Sequence, residues 1–454
     1  MTNNQNGIKP LPFEFTPSQI LVISFAAIIL IGAILLTMPF SARPGVSVSF
    51  VDALFTSTSA VCVTGLTCID TVTSYSVAGQ VIIMLLIQFG GLGIMTLVTF
   101  GMAAVGQHVS LKFSIFARED RPSHSSIGLL ELIKYVLWIT IIIESIGALA
   151  MFFVFRALPN FSTAKAIYYS IFHAVSSFCN AGFALFTDNL MSFDGSAAIN
   201  LTITSLIIIG GIGFNTIVDL IYYFRSPVRY QLSLNTRIVL QVTAILLIAG
   251  TLLILLIEYN NEKTIANMSF PQKVMASYFQ SVSTRTAGFN TIDNSRMMMP
   301  TILLCIILMF IGASPGGTGG GIKTTTAALL YKLISRVIYN DDQVVIYQKG
   351  VPKESVSKAM AVFTMSMVLV IIGTFALLFT EKGLFVEILF EVVSAFGTVG
   401  LSLGLTGKLT TFGKLTISAI MFLGRVGSLT VVVSLAQSKP KINIRYPEEV
   451  VLIG

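Results

Sequence analysis

Eight apolar runs, at 18–39, 79–105, 130–155, 198–224, 237–257, 300–335, 359–380 and 411–437, are each long enough for a helix that crosses a bilayer, which takes about 20 apolar residues. No soluble fold accommodates so many. Of the 454 residues, 54% are hydrophobic and 11% charged, where an ordinary soluble domain carries about 25% charged residues. The same figures exclude a disordered chain and one that coats nucleic acid. The net charge of +7 therefore reflects membrane topology rather than a phosphate-binding surface. The expected fold class is an all-α integral membrane protein, with the lipid bilayer as a partner and no nucleic acid.

Four shorter apolar segments, near 51–66, 166–186, 271–290 and 384–402, lie between consecutive pairs of long runs and carry Ser, Thr and Gly at their ends. They are too short to span. Non-helical backbone at membrane depth is tolerated only where protein buries it or it lines water, so these segments are expected to be re-entrant. An even number of spans then places both termini on one face. Fifteen Lys and Arg lie in the N-terminal tail and the loops 106–129, 225–237, 332–358 and 438–446, against nine in the opposite loops. Basic residues accumulate in cytoplasmic loops, so both termini are expected in the cytoplasm. Met1 to Gln19 shows no short apolar core followed by a cleavage site, and no removable signal peptide is expected.

The re-entrant segments align on a glycine. They read SAVCVTGL, SSFCNAGF, STRTAGF and SAFGTVGL, with Gly65, Gly182, Gly288 and Gly400 separated by 117, 106 and 112 residues. Ten residues before each sits an aromatic, Phe55, Phe172, Tyr278 or Phe390. A second register follows, with Gly90, Gly210, Gly312 and Gly424 lying 25, 28, 24 and 24 residues beyond the first glycines. Two registers recurring together make a repeat of about 110 residues, and repeats of fixed period signal one structural unit used several times. Each unit holds two spans flanking a re-entrant helix and loop. Two is even, so successive units keep one orientation and can surround a pseudo-fourfold axis along the membrane normal. The expected units are 18–106, 107–225, 226–340 and 341–437, flanked by cytoplasmic tails 1–17 and 438–454.

An alkali cation crossing a membrane exchanges its water shell for oxygens, which rings of backbone carbonyls supply. Such a ring needs backbone at φ > 0 and close approach, which glycine allows. One glycine per unit at the same place suits a fourfold ring. The short helix before it directs its negative dipole end at the same point. The expected filter is Val63, Thr64 and Gly65, with Asn180, Ala181 and Gly182, then Thr286, Ala287 and Gly288, and Thr398, Val399 and Gly400. No carboxylate ring replaces the glycines, which argues against a calcium filter. The alternative, that the glycines only let helices approach closely, suits the downstream GG pairs better.

On these motifs the chain resembles the bacterial Ktr/Trk potassium-uptake family, related to the plant HKT transporters, and most closely the Ktr-type membrane subunit. The four filter segments, the broken sixth run and the terminal IRYPEE stretch (Ile444 to Glu449) carry the resemblance. It implies a potassium-channel-like protein of the bacterial plasma membrane, which takes up potassium through a homodimer with one pore per subunit. It also implies a cytoplasmic ring of regulatory subunits that bind nucleotides. No cofactor is expected in this chain, and potassium is the substrate. Some HKT relatives carry serine in the first filter, where this chain has Gly65. A sodium-conducting or sodium-coupled transporter of the same fold is the alternative, and a sodium dependence stays open.

The third unit departs from the others. Where they are read as continuing helically, it has Gly312, Ala313, Ser314, Pro315, Gly316, Gly317, Thr318, Gly319, Gly320 and Gly321, followed by Ile322 and Lys323. Proline removes a backbone donor and glycine weakens a helix, so the run must break at membrane depth. A phosphate-binding loop fails on spacing, because Ile322 separates Gly321 from Lys323, and no strand precedes it. Two readings remain, a flexible kink and a mobile loop across the ion path over 312–324; the second is the gate role that the resemblance implies. Arg425 stands where the other units have Gly91, Gly211 and Ala313. An arginine near the middle of a span costs at least about 2.5 kcal/mol and has a partner or faces water. It can raise a charge barrier in the path and also tie down the loop's carbonyls, and either way Arg425 is expected to be a gate element. Lys323 is assigned to the same loop, with snorkelling as its alternative.

The remaining polar residues read as structural. Glu144 and Asp219 suit hydrogen bonds between helices, Arg285 a pairing behind the third filter, and His173 packing. Cys62, Cys68, Cys179 and Cys305, with His108, His124 and His173, show no CxxC or HExxH spacing, so neither a metal scaffold nor a disulfide is expected. No paired acid and base accompanies the Gly-rich loop, and an enzyme is not expected.

Overall fold

The computed structural model describes residues 17–93, 129–159, 161–225 and 231–427, together with 430, 431 and 434. Apart from one short hairpin, β1 (Val345–Ile346) and β2 (Lys349–Gly350), its elements are helices. They are α1 (Pro17–Thr37), α2 (Phe50–Val61), the single turn α3 (Thr71–Ser74), α4 (Val77–Leu92), α5 (Leu129–Arg156), α6 (Thr163–Phe178), α7 (Ala197–Gly211) and α8 (Phe214–Arg225). Then come α9 (Leu234–Glu258), α10 (Phe270–Ser283), α11 (Met299–Phe310), α12 (Thr324–Tyr339), α13 (Lys353–Thr380), α14 (Phe385–Gly397) and α15 (Thr411–Val426).

The order repeats four times. A long helix (α1, α5, α9, α13) leads to a short one (α2, α6, α10, α14), a glycine loop and a second run. The long helices leave apolar side chains such as Ile31, Ile142, Leu256 and Phe375 more than half exposed, as suits elements whose solvent is lipid. The short helices are buried and start at defined caps. The hydroxyls of Ser49 and Ser162 accept from the backbone N–H of Asp52 and Lys165, each at 3.2 Å. In the third and fourth units a side chain returns to the cap instead. Gln272 accepts from Ser269 N at 3.0 Å and Glu387 from Leu384 N at 2.9 Å. These bonds satisfy N–H groups that a helix start leaves without partners.

The second runs differ from expectation. Among the described residues four helices, α1, α5, α9 and α13, are long and apolar enough to cross a membrane, or five if the bent pair α7 and α8 forms one span. The break expected only in the third unit has counterparts in the others. Helix α4 stops before Gly93 (φ +79°), α7 before Gly213 (φ +91°) and α15 before Gly427 (φ +93°), while α8 leaves α7 at 96°. In sequence these glycines end GGLG, GGIG and GRVG, and Pro315 ends the matching GASP. Glycine at φ > 0 turns the chain without a Cβ clash, and hydropathy carries no trace of it. The run expected over 300–335 is accordingly two helices, α11 and α12, joined by a loop.

The register glycines upstream of those breaks have a separate role. A Cβ on Gly90, Gly210 or Gly424 would fall on the carbonyl of Val61, Phe178 or Phe396, each four residues before its unit's loop glycine. Close approach here seats each second run against the end of a short helix. The circle of units closes where Lys414 Nζ meets Asp52 Oδ1 at 2.6 Å, joining the fourth to the first. Gln19 Nε2 donates to the Ser434 carbonyl at 3.1 Å, which brings the start of α1 beside Ser434.

Candidate functional site

Gly65, Gly182, Gly288 and Gly400 form a closed ring. A Cβ on Gly65 would lie 2.6 Å from the Ala181 carbonyl oxygen, one on Gly182 2.8 Å from that of Ala287, and one on Gly288 2.6 Å from that of Val399. One on Gly400 would strike the Thr64 carbonyl, completing the circle. Each glycine thus faces the carbonyl of the residue before the next glycine, and no side chain fits at any of the four positions.

The backbone around the ring is held away from its preferences. Glycines 65, 182, 288 and 400 have φ between +69° and +95°. Two residues earlier Val63, Asn180, Thr286 and Thr398 are also left-handed, at φ +57°, +61°, +66° and +49°. Three of those are β-branched, for which this region is a genuine outlier, and such strain persists only where its surroundings impose it. One imposing group is the serine that opens each quoted segment. Ser59 Oγ accepts from Gly65 N at 3.0 Å and Ser394 Oγ from Gly400 N at 3.1 Å. Ser176 Oγ donates to the Phe183 carbonyl at 2.7 Å, and Ser283 Oγ to that of Phe289. Sequence reasoning quoted these serines without a role; their recurrence at the head of every segment was the available signal.

The third unit is one residue shorter here. Ser283 lies five residues before its glycine, where Ser59, Ser176 and Ser394 lie six before theirs. The register of α10 shifts accordingly. Phe55, Phe172 and Phe390 are fully buried ten residues before their glycines, but Tyr278 is only half-buried and the neighbouring Phe279 fills the core.

On one side of the ring lies a polar cavity of about 650 Å³, lined by Gly65, Gly288 and Gly400 and by residues that follow them, including Asn290, Ser402 and Thr406. On the other side lies the segment from Gly312 to Lys323. Gly320 N donates to Thr398 Oγ1 at 2.8 Å, Thr318 Oγ1 donates to the Phe178 carbonyl at 3.4 Å, and Gly319 abuts Thr286 Oγ1. The segment therefore meets three of the four loops from below.

Backbone bonds hold this segment in the arrangement seen here. Gly312 N donates to Ile322 O at 2.9 Å, Ser314 N to Gly211 O at 3.0 Å and Thr318 N to Gly210 O at 3.2 Å. Phe214 N donates to Gly316 O at 3.1 Å, and a Cβ on Gly213 would strike Pro315 O. Lys323 Nζ donates to Gly319 O at 2.7 Å, so the lysine serves the loop. Arg425 donates to the carbonyls of Thr318 and Gly90, linking the loop to the first unit. Ala313, Gly317 and Gly321 complete the segment, and Gly321 is itself left-handed at φ +70°.

The sequence profile of the TrkH family, described as a cation transport protein, matches residues 11–444. The chain belongs to the TrkH family. It is 41% identical over 441 residues to the Ktr system potassium uptake protein B of Bacillus subtilis, covering 97% of both chains. It is 39% identical to the potassium/sodium uptake protein NtpJ of Enterococcus hirae, over 97% of this chain and 98% of that one. It is 37% identical to the Ktr system potassium uptake protein B of Vibrio alginolyticus, over 96% and 94%. The potassium transporter TrkH from Vibrio parahaemolyticus shares the fold, with a TM-score of 0.72 at 20% identity over 96% of this chain and 87% of that one. A TrkH-family chain is a membrane cation transporter and not an enzyme.

The other polar groups of this TrkH-family chain stand apart from the ring. His173 is fully buried among Phe155, Phe172 and Phe186, with Nε2 accepting from Leu185 N at 3.2 Å and Nδ1 2.7 Å from the Tyr169 carbonyl. Asp219 accepts from Ser233 N at 3.0 Å. Arg285 is buried behind the third loop, but its Nε has no partner among the described residues, so the expected pairing is not formed at that atom. The four cysteines are free and buried. Among the described residues no group of His, Cys, Asp and Glu is disposed to hold a metal.

Proposed function

We propose that the chain takes up potassium across the bacterial plasma membrane, through the glycine ring acting as a filter of backbone carbonyls. The closed ring of four glycines, each against its neighbour's carbonyl, carries this reading. Carbonyl oxygens replace the water of an alkali cation, and the ends of α2, α6, α10 and α14 bring four partial negative charges to the same place. The 650 Å³ cavity is the outer mouth. The loop 312–324, with Lys323 and Arg425, is the gate on the cytoplasmic side. The four units around the pore take the boundaries 18–106, 107–225, 226–340 and 341–437. Both termini are cytoplasmic; the Gln19–Ser434 bond supports a shared face by bringing the start of α1 beside Ser434. A homodimer governed by a cytoplasmic ring of nucleotide-binding subunits completes the proposal, supported by identity to Ktr system proteins.

A sodium-conducting or sodium-coupled mode is the second reading, favoured by the likeness to the potassium/sodium uptake protein NtpJ. Uptake of labelled potassium, rubidium and sodium into proteoliposomes, with sodium varied and the regulatory partner present or absent, separates the two. Sodium uptake equal to potassium uptake would overturn the potassium filter.

A further inference from the structure

A groove of about 560 Å³ runs between α5 and α6 at the surface of the molecule. Its walls are apolar, and Ile141, Leu149, Ile167 and Ile171 at its edges are all more than 40% exposed. One carboxylate lines it, Glu144. The apolar stretch of α5 runs from Lys134 to Arg156, so Glu144 lies ten residues from one end and twelve from the other. At about 1.5 Å per residue that is close to mid-depth.

An acid at this depth normally has a cation or a water-filled path beside it. The ion pairs of the described residues are Lys414–Asp52 and Arg296–Asp293, and neither involves Glu144. Its own contacts are long, 3.4 Å from Gln88 Nε2 and 3.9 Å from Cys179 Sγ. A carboxylate offers about four acceptor positions; these two contacts take one on each oxygen, which leaves about half its capacity unused on a residue that lines the groove. A lipid acyl chain would fill the apolar walls yet leave the acid as it is. An ammonium on an apolar tail satisfies both.

We propose that this groove binds a lipophilic organic ammonium drawn from the bilayer, with the ammonium on the Glu144 carboxylate and the tail against Ile167 and Ile171. Occupancy reaches the ring through Cys179, which Glu144 contacts. That cysteine lies three residues before Gly182 and fills the space a side chain on Gly91 would need. Only this coupling rests on the proposed potassium filter; binding does not.

The test measures radiolabelled octylammonium binding to the full-length protein in lipid nanodiscs, with empty nanodiscs and octanol as controls. One saturable site per chain is expected, absent for octanol. Glu144→Gln should weaken it at least tenfold. So should Ser145→Trp, which places an indole at an exposed edge of the groove and leaves the ring untouched. Potassium uptake by both variants, followed in parallel, reports whether they are assembled. If Glu144→Gln fails to assemble, Ser145→Trp alone decides. Binding unchanged in Ser145→Trp and displaced by excess potassium would place the ammonium in the ion path and overturn the site, as would no saturable binding to the parent. Binding by a parent that transports no potassium would keep this site while removing the proposed function.

Discussion

Arg425 donates a guanidinium N–H to the carbonyl of Thr318, 107 residues earlier in the chain. A second N–H reaches the carbonyl of Gly90 in the first unit. The planar fork of a guanidinium serves two acceptors at once, which a single ammonium does less well. Of the two roles weighed for this residue, the geometry provides the tie directly.

Arg425→Ala should therefore release the loop. It leaves two carbonyls without their donor, a loss of about 1–3 kcal/mol for a buried polar group, against a loop whose other bonds remain. Cation flux in liposomes lacking the regulatory partner should rise several-fold, with potassium preference retained in part. Arg425→Lys should fall between. Well-folded Arg425→Ala protein that conducts no faster than the parent would remove the gate role.

Gly65→Ala and Gly400→Ala should each lower discrimination for potassium over sodium, Gly400→Ala more severely. The added Cβ on Gly65 lies 2.6 Å from the Ala181 oxygen, inside any real contact distance, and the φ values of +95° and +91° add strain. Side-by-side uptake of the two ions measures it. Unchanged selectivity in both variants would dissociate the ring from the filter.

Ser59→Ala and Ser394→Ala should loosen the ring without blocking it. Each removes an acceptor for the N–H of a ring glycine, worth about 1 kcal/mol. The expected outcome is a lower potassium-to-sodium ratio with nearly unchanged maximal flux. A fall in flux alone, with the ratio intact, would make the serines general packing residues.

The Asp52–Lys414 pair predicts an acid limit. Burial on its own raises the Asp52 carboxyl, but the Lys414 ammonium and the Ser49 hydroxyl hold it below the usual carboxylate range. A depressed carboxyl contributes fully above its unfolded value of about 4 and loses that contribution as pH falls through the lower folded value. The pair is partly solvated, so the effect is at most about 1 kcal/mol. Unfolding temperatures in detergent should therefore drop less on acidification for Asp52→Asn than for the parent. Equal drops would assign the acid sensitivity to other carboxylates.

The ring glycines were legible because spacing alone exposes them; Gly65, Gly182, Gly288 and Gly400 stand at one place in four aligned segments. The left-handed Val63, Thr286 and Thr398 were not, since β-branched residues avoid that region unless the tertiary structure compels them. The breaks at Gly93, Gly213 and Gly427 hid inside apolar runs, where a glycine reads as a tolerated weak point of a helix. The bonding of the 312–324 loop is hidden from sequence for a related reason. Its glycines have no side chains to pack, but the backbone N–H groups of Thr318, Ser314 and Gly320 donate to Gly210 O, Gly211 O and Thr398 Oγ1, and a sequence shows side chains only.

The third unit alone carries the intramembrane loop, and the fourth alone carries Arg425 in place of a small residue. In a ring of four separate but identical chains, any substitution is copied into every quadrant at once. A proline or an arginine beside the ring would then appear four times over. Covalent concatenation lifts that constraint, because one codon now alters one quadrant. Two quadrants can keep the common pattern while two diverge, and the junction left without a peptide bond is the one that Asp52 and Lys414 close.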